Sequence, residues 1–340
     1  MFKSLSSLFF FAFIIVGCSK NQASNPLKIP VKTVPDSLKS VITILAGSVE
    51  GFADGTGNKA LFNHPTGAAF DLNGNLLIAD EFNNRIRKIT PLGVVTTLAG
   101  NGIKVDADGP ELTASFFNPI SLTVDKSGNI IIVDIGKPGG GYNLRKISNT
   151  GNVTTMPVIY NGQEIHHRLS SLVIDETGNI FVWDMDANDI KKIGPSGSVS
   201  SITFPSFPLY TGIVSGFAFD TAGNLFISNA NEARVFKVKT DGSIALFSTS
   251  YTKAVDGANI QVNNTSPSSI VIDKNDNLFL SDFQSIRLIT KGGFATTAVI
   301  NCYPGLAFYN YLQINAIDAA GSIYIPDASN NLIRKIAFLP

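Results

Sequence analysis

One turn motif, Asp-x-x-Gly-Asn, recurs along most of the chain and constrains its fold more than any other feature. In chain order, the copies begin at Asp71, Asp125, Asp175, Asp220, Asp273 and Asp318. In the fifth copy Asp276 replaces the Gly, and in the sixth Ser322 replaces the Asn. The copies lie 45 to 54 residues apart. This spacing is the size of one four-stranded propeller blade rather than of a leucine-rich or helical repeat.

Each turn lies between two runs that are typical of β-strands. In the first repeat, GAAFD at 67–71 precedes the turn and the nearly all-apolar NLLIAD at 75–80 follows it. The alternating RIRKIT at 85–90 and the β-branched GVVTTLAG at 93–100 complete four predicted strands. Because the second strand lacks polar alternation, we expect neighbouring sheets to cover both of its faces.

The sixth repeat ends at Pro340 without a fourth strand, and a matching segment lies at the other end of the folded part. VITILAG at 41–47 resembles VVTTLAG at 94–100 in its apolar pattern and its closing Leu-Ala-Gly. We therefore predict that this N-terminal strand completes the last blade. Residues 41–340 then form one all-β domain, a six-bladed β-propeller without a long unpaired edge. The composition agrees, since 24 Phe and 30 Gly favour strands and turns.

The repeats resemble NHL repeats, whose blades share a Gly-Asn turn, a strand ending in Asp, and Asn-x-Ile-Arg-Lys-Ile. The first repeat, NGNLLIADEFNNRIRKITPLGVVTTLAG, matches this pattern nearly whole. A connection motif also recurs with identical spacing, as Asp54-Gly55, Ala60, Phe62 and Pro65, and as Asp108-Gly109, Ala114, Phe116 and Pro119. The resemblance implies a propeller fold, but this architecture hosts binding modules, sensors, lactonases and lyases alike.

The N-terminus has the pattern of an exported lipoprotein. A basic Lys3, an apolar run at 8–16 and Gly17-Cys18 indicate a secretory signal peptide over 1–17 whose end resembles a bacterial lipobox. We expect Cys18 to carry acyl chains such as palmitate, and the polar, proline-containing remainder of 18–40 to act as a flexible tether. Ser19 favours an outer-membrane destination, on its periplasmic or surface face. A plain secretory signal with an incidental Cys is the alternative.

The charge balance argues against nucleic acid as a partner. The chain has 26 basic and 26 acidic side chains and a pI near 6.8, so no broad positive field is available to neutralise phosphates. We expect a monomer whose contact with the membrane is made by the lipid anchor.

Five acidic residues close the second strands of their repeats. They are Asp80, Asp134, Asp184, Asp282 and Asp327. A circle of carboxylates could hold a metal or a cationic ligand. We favour a structural role, because a carboxylate at a strand end can accept backbone N–H bonds and fix the following loop.

Motifs for catalysis are weak. Of the three histidines, His166 and His167 are adjacent and would point to opposite faces of a strand, which makes them poor joint zinc ligands. The lactonase-like propellers imply a central calcium, but the connection glutamates Glu50, Glu111 and Glu164 lie in no recognisable motif. No Gly-x-Ser-x-Gly elbow is present. We expect no resident cofactor, with calcium as the one alternative.

Aromatic residues accumulate in the connections between blades. They are Tyr160, Phe207, Tyr210, Tyr251, Tyr303, Tyr309 and Tyr311. We predict a membrane-anchored, extracytoplasmic binding propeller that recognises an envelope protein, a peptide or a glycan through these connections, since Tyr offers apolar area and a hydroxyl. The rings could instead fill gaps between blades. A metal-dependent lactonase-like hydrolase or lyase and a purely architectural module are the alternative functions.

Overall fold

The computed structural model describes residues 40–136, 141–202, 214–230, 234–248, 257–258, 267–282, 285–300 and 314–338. This part of the chain consists of β-strands and three single-turn 3-10 helices, Gly57–Lys59, Glu81–Asn83 and Ala328–Asn330. None of its helices is long and apolar enough to span a membrane.

The strands are numbered in chain order. Up to residue 160 they are β1 (Ser40–Gly47), β2 (Gly55–Thr56), β3 (Pro65–Phe70), β4 (Leu76–Asp80), β5 (Arg85–Ile89), β6 (Val94–Ala99), β7 (Gly109–Pro110), β8 (Pro119–Val124), β9 (Ile130–Ile135), β10 (Tyr142–Ile147), β11 (Asn152–Met156) and β12 (Ile159–Tyr160). They continue as β13 (Gln163–Glu164), β14 (Leu169–Ile174), β15 (Ile180–Asp184), β16 (Asp189–Ile193), β17 (Val199–Ile202), β18 (Val214–Phe219), β19 (Leu225–Asn229), β20 (Arg234–Val238) and β21 (Ile244–Ser248). The last are β22 (Gly257–Ala258), β23 (Ser269–Ile272), β24 (Leu278–Asp282), β25 (Ser285–Ile289), β26 (Phe294–Ile300), β27 (Ala316–Ile317), β28 (Ile323–Asp327) and β29 (Leu332–Phe338).

Six antiparallel sheets form the blades of a ring. Blades one to five are β3–β6, β8–β11, β14–β17, β18–β21 and β23–β26, and blade six is β27–β28–β29–β1. Short β2, β7 and β22 each add a fifth strand to a blade, and β12 and β13 form a separate hairpin. The first strands of successive blades contact one another, and β3 of blade one contacts β27 of blade six. The predicted six-bladed β-propeller is confirmed.

Strand β1 closes the ring, as the repeat pattern predicts. It pairs antiparallel with β29 from Ser40 opposite Phe338 to Gly47 opposite Leu332, with an irregularity between Ile44 and Ala46. Ala46 is fully buried in the apolar layer that blade six shares with blade one. The N-terminal strand therefore supplies both hydrogen bonds and core contacts to the last blade.

The core is divided into six apolar layers, each shared by two neighbouring blades. The second strands supply both sides of these layers, because successive side chains on a strand point to opposite faces. In β4, Ile78 packs toward blade six, whereas Leu77 and Ala79 pack toward blade two. This arrangement explains why the second strands are apolar throughout.

The repeated turn is held by its own Asp side chain. Asp71 Oδ1 accepts the backbone N–H groups of Asn73 at 2.9 Å and Asn75 at 2.8 Å, and its Oδ2 accepts Asn75 Nδ2. Gly74 has a φ of +78°, which favours glycine. The turns that connect first and second strands thus depend on local hydrogen bonds, and they all lie on the same face of the ring.

Deleting residues 40–47 should destabilise the propeller strongly. The deletion leaves β29 as an open edge and uncovers the layer between blades six and one. We expect the melting temperature, followed by circular dichroism, to fall by more than about 10 °C. A deletion of residues 24–30 in the predicted tether is the control and should leave the melting temperature unchanged. Equal melting temperatures for the two deletions would refute closure by β1.

Candidate ligand-binding site

In blades one and two, a buried carboxylate at the end of the second strand binds the segment that precedes the first strand. In blade one, Asp80 Oδ1 accepts the backbone N–H of Asn63 at 2.8 Å. In blade two, the Asp134 carboxylate accepts the backbone N–H groups of Phe117 and Asn118. Both carboxylates are completely buried. They act as hydrogen-bond acceptors that fix the chain where it enters each blade.

A fully buried arginine on the third strand of blade one neutralises Asp80. Arg87 Nη1 donates to Asp80 Oδ2 at 2.7 Å and to the Leu61 carbonyl at 3.0 Å. Its Nη2 donates to Asp54 Oδ1 at 2.7 Å and to the Ala53 carbonyl at 2.9 Å. One guanidinium thus joins the strand end to the Asp-Gly of the blade connection. We call Asp54, Asp80 and Arg87 the arginine clamp of blade one.

Blade two contains an equivalent arginine clamp. Arg145 donates to Asp108 Oδ1 at 3.0 Å, to the Ser115 carbonyl at 3.0 Å and, with longer contacts of 3.4 Å, to Asp134 and Asp106. The recurring Asp-Gly connection motif is therefore the exposed end of a buried ion-pair network.

Burial is the largest influence on the strand-end carboxylates. It raises the pKa of Asp80 above its usual value, and it raises the pKa of Asp134 to about 7 with a contribution from the Asp106 carboxylate. Backbone N–H donors oppose this shift at both carboxylates, and Arg87 opposes it at Asp80. Because an unpaired buried charge is costly, the ionised form of Asp80 depends on Arg87 for its stability inside the fold.

Blade three uses a lysine in place of the arginine. Lys191 Nζ lies 2.7 Å from Asp189 Oδ2, 3.0 Å from Ser201 Oγ and 3.8 Å from Asp184 Oδ2. The ring of Tyr160 covers this ammonium, with its centroid 4.2 Å from Nζ. Tyr160 therefore has a packing role in blade three, and its part in ligand binding stays a prediction.

The remaining blades vary the clamp further. In blade six, Arg334 Nε donates to Asp327 at 2.6 Å. In blade five, the buried Arg287 donates to Thr297 Oγ1 at 3.2 Å. Blade four has the neutral Asn229 at its strand end and the buried Phe236 at the position of the cation. Blade four therefore lacks both the strand-end aspartate and the cation of the clamp.

Several residues singled out by the sequence lie outside the described residues. They are Cys18 and the aromatic residues Phe207, Tyr210, Tyr251, Tyr303, Tyr309 and Tyr311. The backbone of Asp282 ends β24 as predicted, and its side chain also lies outside the described part.

The residue that precedes the first strand lies beside the strand-end Asp of its blade, and in blades one to three that residue is polar. The three equivalent positions are His64, Asn118 and Arg168, each directly before a residue paired with the strand-end Asp. We call these three side chains the rim residues. They lie on the connection face, the face opposite the Asp-x-x-Gly turns, where the chain crosses from one blade to the next.

His64 forms the most elaborate contacts of the rim. Its Nδ1 lies 2.8 Å from Glu81 Oε2, and its ring stacks on Phe82 at 4.5 Å between centroids. The His64 backbone N–H donates to Asn331 Oδ1 of blade six, and Glu81 Oε1 accepts Asn118 Nδ2 of blade two at 3.4 Å. A proton on Nδ1 facing the carboxylate leaves Nε2 as the nitrogen that can accept a hydrogen bond or a proton.

Arg168 continues the rim in blade three. Its guanidinium lies 2.7 Å from Asp186 Oδ1, and hydrogen bonds from Arg168 hold the pKa of Asp186 below its usual value. The neighbouring His167 Nδ1 contacts Asp184 at 2.7 Å, whereas His166 is exposed. The adjacent histidines therefore do not converge on one point. The rim residues thus provide an imidazole in blade one, an amide in blade two and a guanidinium in blade three.

A cavity of about 300 Å³ lies on the axis, where the first strands of all six blades converge. Every blade contributes a hydroxyl or an amide to its lining, namely Thr66, Ser121, Ser170, Ser215, Ser269 and Asn315. Thr66 follows His64 by two residues, and Ser170 follows Arg168 by two residues. The rim residues therefore precede the lining segments directly and mark the connection-face end of the cavity.

Irregular pairing of the first strands shapes this lining. In blades one to four the register shifts near the start of the first strand, for example between Ser170 and Leu172. Such bulges change which way a side chain points, and here Ser170, Ser171 and Leu172 all line the cavity. The inner strands also approach closely, since a Cβ on Gly67 would meet the Ser121 Cα at 2.9 Å.

The described residues do not fit the predicted calcium alternative. The described residues that line the central cavity include no Asp, Glu, His, Lys or Arg, and nowhere in the described part do three His, Cys, Asp or Glu side chains converge as metal ligands. Calcium requires six to eight oxygen ligands, usually including carboxylates. The hydroxyl-lined cavity does not provide that donor set.

The sequence motifs do not predict which side chains bind the residues that they identify. Asp54 and Asp80 belonged to recognised motifs, but their joint partner Arg87 was treated as part of an alternating strand. The signal was available in the repeat, because blades one and two pair an Asp-Gly connection with an Arg at the same strand position. Glu81, which binds His64, has no such repeated signal.

Comparisons with known proteins agree with this architecture. A structural genomics protein of unknown function from Bacteroides thetaiotaomicron aligns with a TM-score of 0.66 and 19% identity, covering 88% of this chain and 76% of that one. An auxiliary nutrient binding protein from Bacteroides ovatus aligns with a TM-score of 0.63 and 14% identity, covering 89% and 78%. A streptogramin B lyase aligns with a TM-score of 0.57 and 14% identity, covering 88% and 98%. These similarities define a six-bladed β-propeller.

The sequence comparison finds similarity to proteins that contain NHL repeats. NHL repeat-containing protein 2 of Bos taurus is 37% identical over 86 residues, which is 24% of this chain and 12% of that protein. Matches to the first curated relatives span only 8% to 12% of their lengths. No family profile matches the chain. The chain is thus a six-bladed β-propeller, and part of its sequence is similar to that of NHL repeat-containing proteins.

Replacing Arg87 with Met should destabilise the protein by about 3–5 kcal/mol, because Asp80 would remain buried without its partner. Chemical denaturation measures the loss. Arg168→Met is the matched control, since Arg168 forms a solvent-exposed ion pair and should cost at most about 1 kcal/mol. Equal losses in the two variants would contradict the arginine clamp.

Proposed function

We propose that this chain is an exported, lipid-anchored propeller that binds a small polar ligand at its connection face. The observation that carries the proposal is the hydroxyl-bearing cavity on the axis, to which every blade contributes, next to the polar rim residues of three blades, of which His64 and Arg168 are ionisable. A concave site with a few convergent polar groups on a rigid scaffold is the usual form of a small-molecule site.

The rim supplies directional contacts for such a ligand. His64 is held by Glu81 and Phe82, so the direction of its ring is fixed before a ligand arrives. Arg168 is partly exposed and its guanidinium is oriented by Asp186. Groups fixed in advance bind with a smaller entropy loss than mobile ones. The likeness to an auxiliary nutrient binding protein supports binding as the function.

The predicted lipid anchor supports a place at the cell envelope. The apolar run at 8–16 followed by Gly17-Cys18 has the order of a lipoprotein signal. More than one acyl chain on Cys18 would hold the protein stably at a membrane, whereas a single chain would not. The propeller would then face an extracytoplasmic compartment, where small solutes are captured.

Calcium-dependent hydrolysis is not proposed, because the described residues that line the cavity include no carboxylate, and calcium sites usually contain carboxylates. The His64–Glu81 pair could act as a base without a metal, since a carboxylate orients the imidazole. We assign it to ligand orientation, and the binding experiment below distinguishes this role from catalysis.

Replacing Cys18 with Ser should abolish acylation of the protein. In bacterial cells given an alkyne analogue of palmitate, we expect the unaltered chain to be labelled and to sediment with membranes. Cys18→Ser should be unlabelled and remain with its signal peptide or in the soluble fraction. Cys302→Ser is the control and should behave like the unaltered chain. Labelling of Cys18→Ser would refute the anchor.

Substitutions at the rim should weaken ligand binding. Thermal shift and calorimetric titration of residues 19–340 against amino acids, dipeptides, monosaccharides and disaccharides should identify a stabilising ligand. We expect His64→Gln or Arg168→Met to reduce its affinity about tenfold, the loss of one good hydrogen bond. Lys126→Met, on the opposite face, is the control.

Two results would overturn this function. The first is the absence of any stabilising compound in the panel. The second is chemical conversion of the bound compound by the unaltered chain and not by His64→Gln, which would identify an enzyme that uses His64 as its base.

A further inference from the structure

The described lining of the central cavity differs from the rim residues in that it contains no charged side chain. Its described lining consists of hydroxyl, amide and apolar side chains from six blades. We infer that this cavity binds an uncharged, polyhydroxylated compound of monosaccharide size, and the inference rests on the proposed binding function.

The neutral lining selects against charged compounds. A carboxylate or ammonium group that enters a cavity loses its hydration, and it is tolerated only when an opposite charge faces it. The charged rim residues engage their own partners, as Arg168 does with Asp186 and His64 with Glu81. A neutral compound loses less hydration and can replace its water contacts with the lining hydroxyls.

Three polar atoms of the lining are buried without a hydrogen-bond partner. They are Thr66 Oγ1, Ser170 Oγ and Asn315 Oδ1, which come from blades one, three and six. Other lining hydroxyls are already used, since Ser269 Oγ contacts Ser281 at 2.7 Å and accepts the Ile314 N–H at 2.7 Å. Unpaired buried groups are unfavourable, so rotation of these side chains toward the cavity, where a ligand with several hydroxyls could pair with them, would gain hydrogen bonds that the atoms otherwise lack.

The apolar part of the lining and the volume fit the same compound. Leu122, Leu172 and Phe217 also face the cavity. A sugar ring presents C–H groups between its hydroxyls, and these pack against aliphatic and aromatic side chains. A volume of about 300 Å³ is at the lower end of ligand sites, which favours one sugar ring over an oligosaccharide.

The test compares neutral sugars with charged analogues of the same ring. Residues 19–340 are titrated by calorimetry with glucose, galactose, N-acetylglucosamine and myo-inositol, and with glucuronate, galacturonate and glucosamine. We expect at least one neutral compound to bind and its charged analogue to bind at least about tenfold more weakly. Equal or tighter binding of the charged analogue would overturn the inference, as would the failure of all four neutral compounds to bind.

Substitutions locate the bound sugar. Thr66→Val keeps the side-chain volume and Ser170→Ala removes only a hydroxyl, so melting curves can verify that both variants fold. We expect each to weaken the sugar about tenfold. The exposed pair Thr154→Val and Ser127→Ala are matched controls and should have no effect. Unchanged affinity in both cavity variants, or a crystal grown with the sugar that holds only waters on these atoms, would refute the site.

The same variants separate this inference from the proposed function. An amino acid or a dipeptide that loses affinity in His64→Gln but not in Thr66→Val would leave the binding function intact and refute the cavity site. Sugar binding that is weakened by Thr66→Val but not by His64→Gln or Arg168→Met would support the cavity site and remove the rim from the proposed function.

Discussion

The buried arginine clamp is the interaction on which the arrangement of blade one depends most directly. Arg87 contacts the end of the second strand, the Asp-Gly of the connection and two backbone carbonyls at once. Asp80 in turn binds the backbone that leads into the first strand. A single cation therefore fixes three separate segments, and its burial makes their geometry intolerant of a missing partner.

The positions of the rim residues and of the cavity follow from these contacts of the clamp. In blades one and two the strand-end Asp of the clamp binds the backbone at the rim residue or next to it, and the rim residue is His64 in blade one and Asn118 in blade two. The first strand then turns its next side chains toward the axis, where they meet those of five other blades. The rim residues of the described blades differ in charge, whereas the described residues that line the cavity are neutral.

The sequence predicted the architecture well because the repeat carries its own register. Blade number, strand order and the closing role of β1 all follow from the spacing of the Asp turns and from VITILAG at 41–47. The cavity lining could not be predicted, since the shifts near Ser170 and Val214 change which residues face the axis. The clamp was missed because Arg87 lies in an alternating strand, where arginine is ordinarily solvent-exposed.

Pairing of β1 with β29 places both ends of the described propeller beside each other, with Ser40 opposite Phe338. Each apolar layer joins only adjacent blades, so the ring has no structural beginning. The order of the blades is in this sense cyclic. A circular permutant that joins residue 338 to residue 40 and begins in another connection would therefore keep all contacts between blades. The position of the termini in blade six therefore determines where the propeller is attached to the rest of the chain.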